Sequence, residues 1–214
     1  MFIGPGDLVF DVGAHTGDRT RLFRSLGARV VAVEPQPRCV MALGRAFRGD
    51  HDVIVVEKAL AADDGIAELV QNEASVLSSM SPDFIAATEA SGAFTHWCRW
   101  SEPITVETTT LDRLIEEYGR PVFCKIDVEG YEVEVLRGLS TLLPLVSIEY
   151  IAQFERNLEL AVAGLCELGF ARFTFSPGES FVYWSRGWVS ADGLVAGLRS
   201  LGDPVAWGDV YVRP

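Results

Sequence analysis

The sequence predicts an α/β fold: a mostly parallel sheet with helices on both faces and an antiparallel edge at its carboxyl-terminal end. Three observations predict it. Runs of Val, Ile and Leu recur without polar alternation, the pattern of strands covered on both sides. Amphipathic stretches of helical length separate these runs, and alternation of the two is the signature of the α/β class. After Phe170 the apolar segments become short and aromatic, as in strands added in the opposite sense.

In chain order, strands are expected at Leu8 to Val12, Ala28 to Val33, Val53 to Glu57, Ile104 to Thr109, Val122 to Ile126 and Leu145 to Glu149. Helices are expected at Arg19 to Leu26, Pro37 to Arg48, Leu111 to Tyr118, Glu132 to Leu142 and Leu158 to Leu168. Asp18 stands where it caps or charges the first helix, while Gly27 and Gly169 stand where helices stop in the left-handed conformation. From Gln71 to Pro103, Ser, Thr, Trp and Pro follow no period, so an irregular insertion with a short helix near Asp83 to Ala90 is expected. Insertions of that length in compact domains serve as lids or binding loops. Arg172 to Ser176 and Phe181 to Trp184 are expected to close the sheet. The 214 residues are read as one domain, 1–214, with the lid candidate at 71–103.

Composition narrows the function. A hydrophobic share of 49% with 22% charged residues builds a core without staples. A net charge of −12, spread along the chain, repels phosphate backbones, so neither nucleic acid nor an anionic membrane is an expected partner. No apolar run approaches the roughly 20 residues that span a bilayer. Cys39, Cys98, Cys124 and Cys166 lie far apart with no companion histidines, and read as reduced thiols. The amino terminus shows no export signal, so the cytoplasm is the expected compartment.

The informative segment is LVFDVGAHTG, Leu8 to Gly17, where a buried strand runs into a glycine-bracketed turn before a helix. Gly13 permits a sharp turn and leaves no side chain against a ligand; Gly17 lets the helix start close to the sheet. Backbone N–H groups around His15 to Gly17 are expected to face that ligand. Dinucleotide folds place G-x-G-x-x-G here, and this chain has only Gly13 and Gly17. Asp11 beside the turn suits an ammonium group, which S-adenosylmethionine has and NAD lacks. Glu34, closing the next strand in RVVAVEP, suits the vicinal ribose hydroxyls of a nucleoside. The candidate set from this Rossmann-like edge is Asp11, Gly13, Ala14, His15, Thr16, Gly17, Glu34 and Pro35, with S-adenosyl-L-methionine as the cofactor.

Thr108 to Gly138, TTTLDRLIEEYGRPVFCKIDVEGYEVEVLRG, resembles the FkbM family of methyltransferases. The likeness rests on Thr110, Leu111 and Asp112 before a helix, and on a strand ending in Lys125 through Glu132, K-I-D-V-E-G-Y-E. The glycine turn and Glu34 match as well, so the resemblance runs from Gly6 to Tyr150. It implies a class I methyltransferase fold, S-adenosylmethionine as donor, and a hydroxyl of a sugar or secondary metabolite as acceptor. By the same likeness Ala59 lies by the adenine and Asp127 beside the donor's methionine part. After about Phe170 no family pattern can be placed.

A neutral hydroxyl is a poor nucleophile, and a general base taking its proton speeds attack by about 10²–10⁴. Asp127 and Glu129, just beyond a strand, are the catalytic candidates; for both, the competing role is to cap or charge the helix that follows. Lys125 is expected to pair with a carboxylate, and Glu132 and Glu134 to belong to a solvated helix turn. Asp127, Glu129 and Glu149 together could hold a divalent metal, but their spacing gives no firm ligand set and no metal is assigned. His51 and His96 read as surface or packing residues, with His96, Trp97 and Trp100 in the insertion as possible substrate contacts. Two other readings stay open. One is an NAD-dependent oxidoreductase or epimerase, which lacks its third glycine and a Tyr-x-x-x-Lys pair here. The other is a non-catalytic, methyltransferase-like binding module.

Overall fold

A computed structural model describes residues 3–72, 77–91, 99–178, 180, 182–185, 187–202 and 207–214. In chain order the elements are β1 (Leu8–Val12), α1 (Asp18–Ser25), β2 (Arg29–Val33), α2 (Pro37–Ala46), β3 (Val53–Val56), β4 (Ala59–Leu60), β5 (Gly65–Asn72), α3 (Pro82–Ser91), β6 (Trp100–Thr109), α4 (Leu111–Tyr118), β7 (Phe123–Ile126), α5 (Glu132–Arg137), β8 (Val146–Ile151), α6 (Glu155–Glu167), β9 (Arg172–Pro177), α7 (Ala191–Ser200) and β10 (Trp207–Arg213).

Seven strands form one sheet in the order β3-β2-β1-β7-β8-β10-β9. β3, β2, β1, β7 and β8 pair in parallel, while β10 runs antiparallel to both β8 and β9. The apolar runs have the expected cause. Phe10, Val12, Val31, Val33, Cys124 and Ile126 pack with α4, α5, α6 and α7 on one face. Val9, Val30, Ala32 and Phe123 pack with Phe23 of α1 and Leu43 of α2 on the other. Strands covered on both sides have no solvent face to mark with polar residues. The strand order reverses at β1 and β7, and ligands of open α/β sheets bind in the crevice outside the carboxyl ends at such a switch point.

The expected elements need correction at several places. Ile104 to Thr109 does not join it: these residues end β6, which pairs with β4 and β5 in a separate three-stranded sheet. Ile104, Val106 and Thr108 alternate with more polar neighbours, and only one side packs, around Leu69, Val106 and Ala59. That is a period of two, which belongs to a half-exposed strand. Of the strand expected at Phe181 to Trp184, Phe181 lies outside the described residues and Val182 to Trp184 holds no strand; the antiparallel element is β10, whose WGDVYVR also alternates. α7, unanticipated, is capped by Ser190, whose side chain accepts from the Gly193 N–H. The helix expected to run to Leu142 stops at Arg137; the next residue, Gly138, lies so close to the Ala61 carbonyl that a Cβ would meet it at 2.4 Å, so glycine is needed at that position.

The short helix expected in the insertion is α3, while 73–76 and 92–98, and with them His96, Trp97 and Cys98, lie outside the described residues. Gly27 and Gly169 end their helices at φ 83 and 100, as expected. Cys39, Cys124 and Cys166 are free thiols. Among the described residues no helix is long and apolar enough to cross a membrane.

Candidate functional site

A cavity of about 850 Å³ opens at the carboxyl ends of β1, β2, β7 and β8. It is lined by Gly13, Ala14, His15, Glu34, Pro35, Ala59, Asp127 and Glu129 from the expected set, whereas Asp11, Thr16 and Gly17 do not line it. Volumes of roughly 300–1,000 Å³ are those of small-molecule sites.

The turn after β1 is shaped by close approach. Gly13 has φ 79, and a Cβ there would sit 1.7 Å from the Asp127 carbonyl oxygen, so only glycine lets the first turn lie against the end of β7. At Gly17 a Cβ would meet Leu43 and Phe47 at 2.7 and 2.8 Å, so that glycine serves the contact between α1 and α2 and not, as expected, a close start against the sheet. The N–H groups expected to face a ligand are partly spent inside the fold. Gly13 and Ala14 donate to the Val33 carbonyl, and Gly17 donates to the Ala14 carbonyl. His15 N–H donates to Glu34 Oε2 at 2.9 Å.

Asp11 is likewise not open to a ligand: it is 1% exposed and accepts from the Thr20 hydroxyl at 2.5 Å. Burial raises its carboxyl above the ordinary value, offset by the Thr20 hydrogen bond. Its place is beneath the turn, fixing α1 to β1. Glu34, 2% exposed, is held on both oxygens, Oε2 by His15 N–H and Oε1 by Gln36 N–H at 2.8 Å. Burial raises its carboxyl too, countered by those two donors and by the Gln36 side chain. His15 is moved the other way: burial lowers its pKa, opposed by Asp18 and Asp127, so the ring tends to neutrality.

Across the cavity, carboxylates gather. Asp127 follows β7, Glu129 lies in the next turn, and Glu149 is in β8; one oxygen from each lies within 4.8 Å of the others. Lys125, 4% exposed, donates to Asp127 Oδ2, the pairing its alternation with Asp127 suggested. Burial pulls the lysine down, but Asp127 and Asp209 outweigh it and hold the ammonium above its ordinary value. Burial first, and then neighbouring carboxylates, push Glu129 and Glu149 well above the ordinary range. Oε2 of each is sealed from solvent and has no hydrogen-bond partner among the described residues.

Glu132 is a correction. Instead of sitting in a solvated helix turn it is 2% exposed; Oε1 accepts from the Val128 and Gly130 N–H groups, and Oε2 from Asn157 Nδ2. The chain after β7 leaves its N–H groups without sheet partners, and an acidic side chain at the start of α5 reaches back to satisfy them, as in a capping box. Glu134 does stay at the surface, paired with Arg137. Glu129 and His15 are the non-glycine residues with positive φ among those described, at 52 and 48, and both line the cavity. Such positions cost about 1–3 kcal/mol each and persist only when the surroundings fix them.

Ser78 and Met80, which also line the cavity, come from the expected lid candidate, whereas composition and spacing gave no hint of Ile151, Trp207 or Asp209. The expected insertion supplies part of its wall and is pinned there by two adjacent hydroxyls. The Ser78 hydroxyl donates to Gln36 Oε1 at 2.9 Å, beside Glu34; the Ser79 hydroxyl donates to the Glu129 carbonyl at 2.6 Å. Phe84 of α3 packs so closely on Gly130 that a Cβ there would meet it at 2.6 Å.

A model of the methyltransferase FkbM domain matches residues 11–170, which span the turn, both acidic strand ends and α6. The chain belongs to the FkbM methyltransferase family. The hexuronic acid methyltransferase AglP of Haloferax volcanii is 31% identical over 144 residues, covering 66% of this chain and 53% of AglP, so the match spans about half that relative's length. Among solved structures, Aeropyrum pernix fibrillarin, with S-adenosyl-L-methionine bound, superposes with a TM-score of 0.51 at 11% identity, covering 99% of this chain and 68% of that one. The precorrin-6y C5,15-methyltransferase of Geobacter metallireducens gives 0.50 at 10% identity, covering 98% and 81%. At these identities the likeness is one of fold, that of class I methyltransferases; the FkbM-type segment contributes the carboxylate cluster.

Proposed function

We propose that this FkbM-family chain is an S-adenosylmethionine-dependent methyltransferase that O-methylates a hydroxyl of a sugar or secondary metabolite. One observation carries the reading: a single cavity joins the Gly13 turn and Glu34 at one end to Asp127, Glu129 and Glu149 at the other. The residues fit the donor. The His15 and Gln36 N–H groups and the Gln36 side chain use three of the roughly four acceptor positions of the Glu34 carboxylate, leaving one for a ribose hydroxyl. Pro35, Ala59 and Leu60 offer a small apolar wall for an adenine. The absent Cβ at Gly13 leaves room where Ala14, His15 and Asp127 meet the methionine part, with Asp11, Thr16 and Gly17 supporting the turn from behind.

When bound, the donor supplies a sulfonium methyl group. The protein's task is to set an acceptor oxygen in line behind that methyl at about 3 Å and to exclude water. As the new O–C bond forms, the S–C bonding pair stays on sulfur and the hydroxyl proton passes to the carboxylates, with Asp127 and Glu129 the assigned groups. Burial has raised the proton affinity of Glu129, which makes its carboxylate a better base than one in water. The hexuronic acid methyltransferase relative supports a sugar as the acceptor class. The described part of the 71–103 insertion, pinned over the cavity through Ser78 and Ser79, suits the lid role.

Calorimetry of the whole chain against S-adenosylmethionine, S-adenosylhomocysteine and NAD tests the donor. Binding of both adenosyl compounds without NAD is expected; tight binding of NAD alone overturns the reading. Release of S-adenosylhomocysteine in the presence of a panel of glycosides and uronic acids then reports the acceptor class.

A further inference from the structure

The geometry points to a binding site for one divalent, oxygen-preferring cation, of the Mg²⁺ or Mn²⁺ type, formed by Asp127, Glu129 and Glu149 at the acceptor end of the cavity.

Distance is the first support. One oxygen from each side chain lies within 4.8 Å of the other two. Oxygens bound to one Mg²⁺ at about 2.1 Å are separated by roughly 3–4 Å, and the longer bonds of larger cations widen that to nearly 5 Å. The three carboxylates therefore need only side-chain adjustment to close on one ion.

An independent support is the pair of orphaned oxygens. Oε2 of Glu129 and Oε2 of Glu149 are each withdrawn from water and accept no hydrogen bond among the described residues. A buried acceptor without a partner costs about 1–3 kcal/mol, and more if charged, so two together in a functional cavity mark a place that a ligand completes. Glu132 next door shows the contrast: it is as acidic and more deeply buried, yet both its oxygens are held by N–H donors.

Charge gives the valence. Lys125 neutralises one carboxylate of the three by its pairing with Asp127 Oδ2, leaving two formal negative charges and the second Asp127 oxygen. A divalent ion matches that remainder, and an all-oxygen donor set selects hard cations over those that prefer sulfur or imidazole. With three protein ligands, coordination positions remain for water and for an acceptor oxygen. An ion there orients a hydroxyl and lowers its pKa. That role rests on the methyl-transfer reading; the binding of the ion does not.

The test uses the whole chain without any donor. Manganese is titrated at pH 8 and followed by electron paramagnetic resonance, with calorimetry of Mg²⁺ alongside. Uptake of one equivalent of Mn²⁺ is expected, displaced by Mg²⁺, and weakened about tenfold or more in each of Glu129→Gln, Glu149→Gln and Asp127→Asn. Saturating Mn²⁺ should raise the melting temperature of the wild-type chain and of a Glu134→Gln control, but leave the Glu149→Gln variant unmoved. Failure of the wild-type chain to take up Mn²⁺ at millimolar concentration overturns the proposal, whether or not the variants fold. So does retention of wild-type affinity in all three variants. If S-adenosylhomocysteine binds and Mn²⁺ does not, the methyltransferase reading stands and the cluster is a proton-sharing base. If Mn²⁺ binds and S-adenosylhomocysteine does not, the site stands and the reading falls.

Discussion

The two ends of the cavity are built on opposite terms. At the end formed by β1 and β2, polar groups are matched by the protein itself: both Glu34 oxygens accept backbone N–H groups, and Gly13 and Ala14 donate to Val33. At the end formed by β7 and β8, Asp127, Glu129 and Glu149 crowd together and leave two buried oxygens unmatched. The first end is preorganised, so a ligand there finds its partners already fixed and little ordering remains to be done. The second end is incomplete, and what enters it must bring positive charge or a proton. A finished end suits a constant donor; an unfinished one suits a reaction in which charge moves.

The largest test of this contrast strikes where the two ends touch. Gly13→Ala places a methyl group 1.7 Å from the Asp127 carbonyl oxygen at a φ of 79 that L residues rarely adopt. A destabilisation of about 3–5 kcal/mol is expected, a fall in melting temperature of roughly 10 °C for a chain of this size, with loss of S-adenosylhomocysteine binding. Unchanged melting and affinity would show that the β1 turn does not lie against β7.

Next in size is Asp127→Asn. It leaves Lys125, 4% exposed, without the carboxylate it pairs with. Because Asp127 itself keeps some exposure, the expected cost is about 2–4 kcal/mol by denaturant unfolding, below that of a fully buried pair. The double change Lys125→Met with Asp127→Asn should recover most of it, since it removes the stranded charge. If the single and double variants are equally unstable, the pair is not what Asp127 contributes.

Glu34→Gln probes the finished end. An amide can accept from only one of the two N–H groups now held and turns a donor toward the other, so about 1–2 kcal/mol of stability and roughly tenfold in nucleotide affinity should be lost. The same variant gives a pH test. The folded pKa of Glu34 is raised above its ordinary 4.5, with burial the largest cause, so the folded chain binds more protons than the unfolded one. The Glu34 contribution is therefore fully present below about 4.5 and is lost as pH rises through the raised folded value. The stability advantage of the wild-type chain over Glu34→Gln should shrink from pH 4 to pH 8; an advantage that grows over that range contradicts the assignment of burial as the cause.

The finished end was also the legible one. LVFDVGAHTG and RVVAVEP announce strand, turn and acidic strand end because local chain geometry dictates them, and β1, β2 and the turn form where those residues stand. What the residues did not announce was long-range. Nothing in the letters of Asp11 says that Thr20 occupies its oxygen, nor in Glu132 that Val128, Gly130 and Asn157 surround it. ITVETT was legible as a strand but not by sheet, since its alternation shows one buried face without saying against what. β10 was missed although WGDVYVR alternates, because its partners, β8 and β9, come from far earlier in the chain.

That missed strand holds the smallest effect. Trp207 begins β10 beside Ile151, lines the cavity, and is 48% exposed, a wide indole left open to solvent at the unfinished end. Neither core packing nor a buried partner accounts for that exposure, whereas a flat aromatic face covers the apolar side of a sugar ring and adds little else. Trp207→Ala should raise the KM for a glycoside acceptor about fivefold, equivalent to roughly 1 kcal/mol, while leaving kcat, melting temperature and S-adenosylhomocysteine affinity nearly unchanged. A loss in donor affinity instead would move Trp207 to the finished end and show that the division between the two halves of the cavity has been drawn in the wrong place.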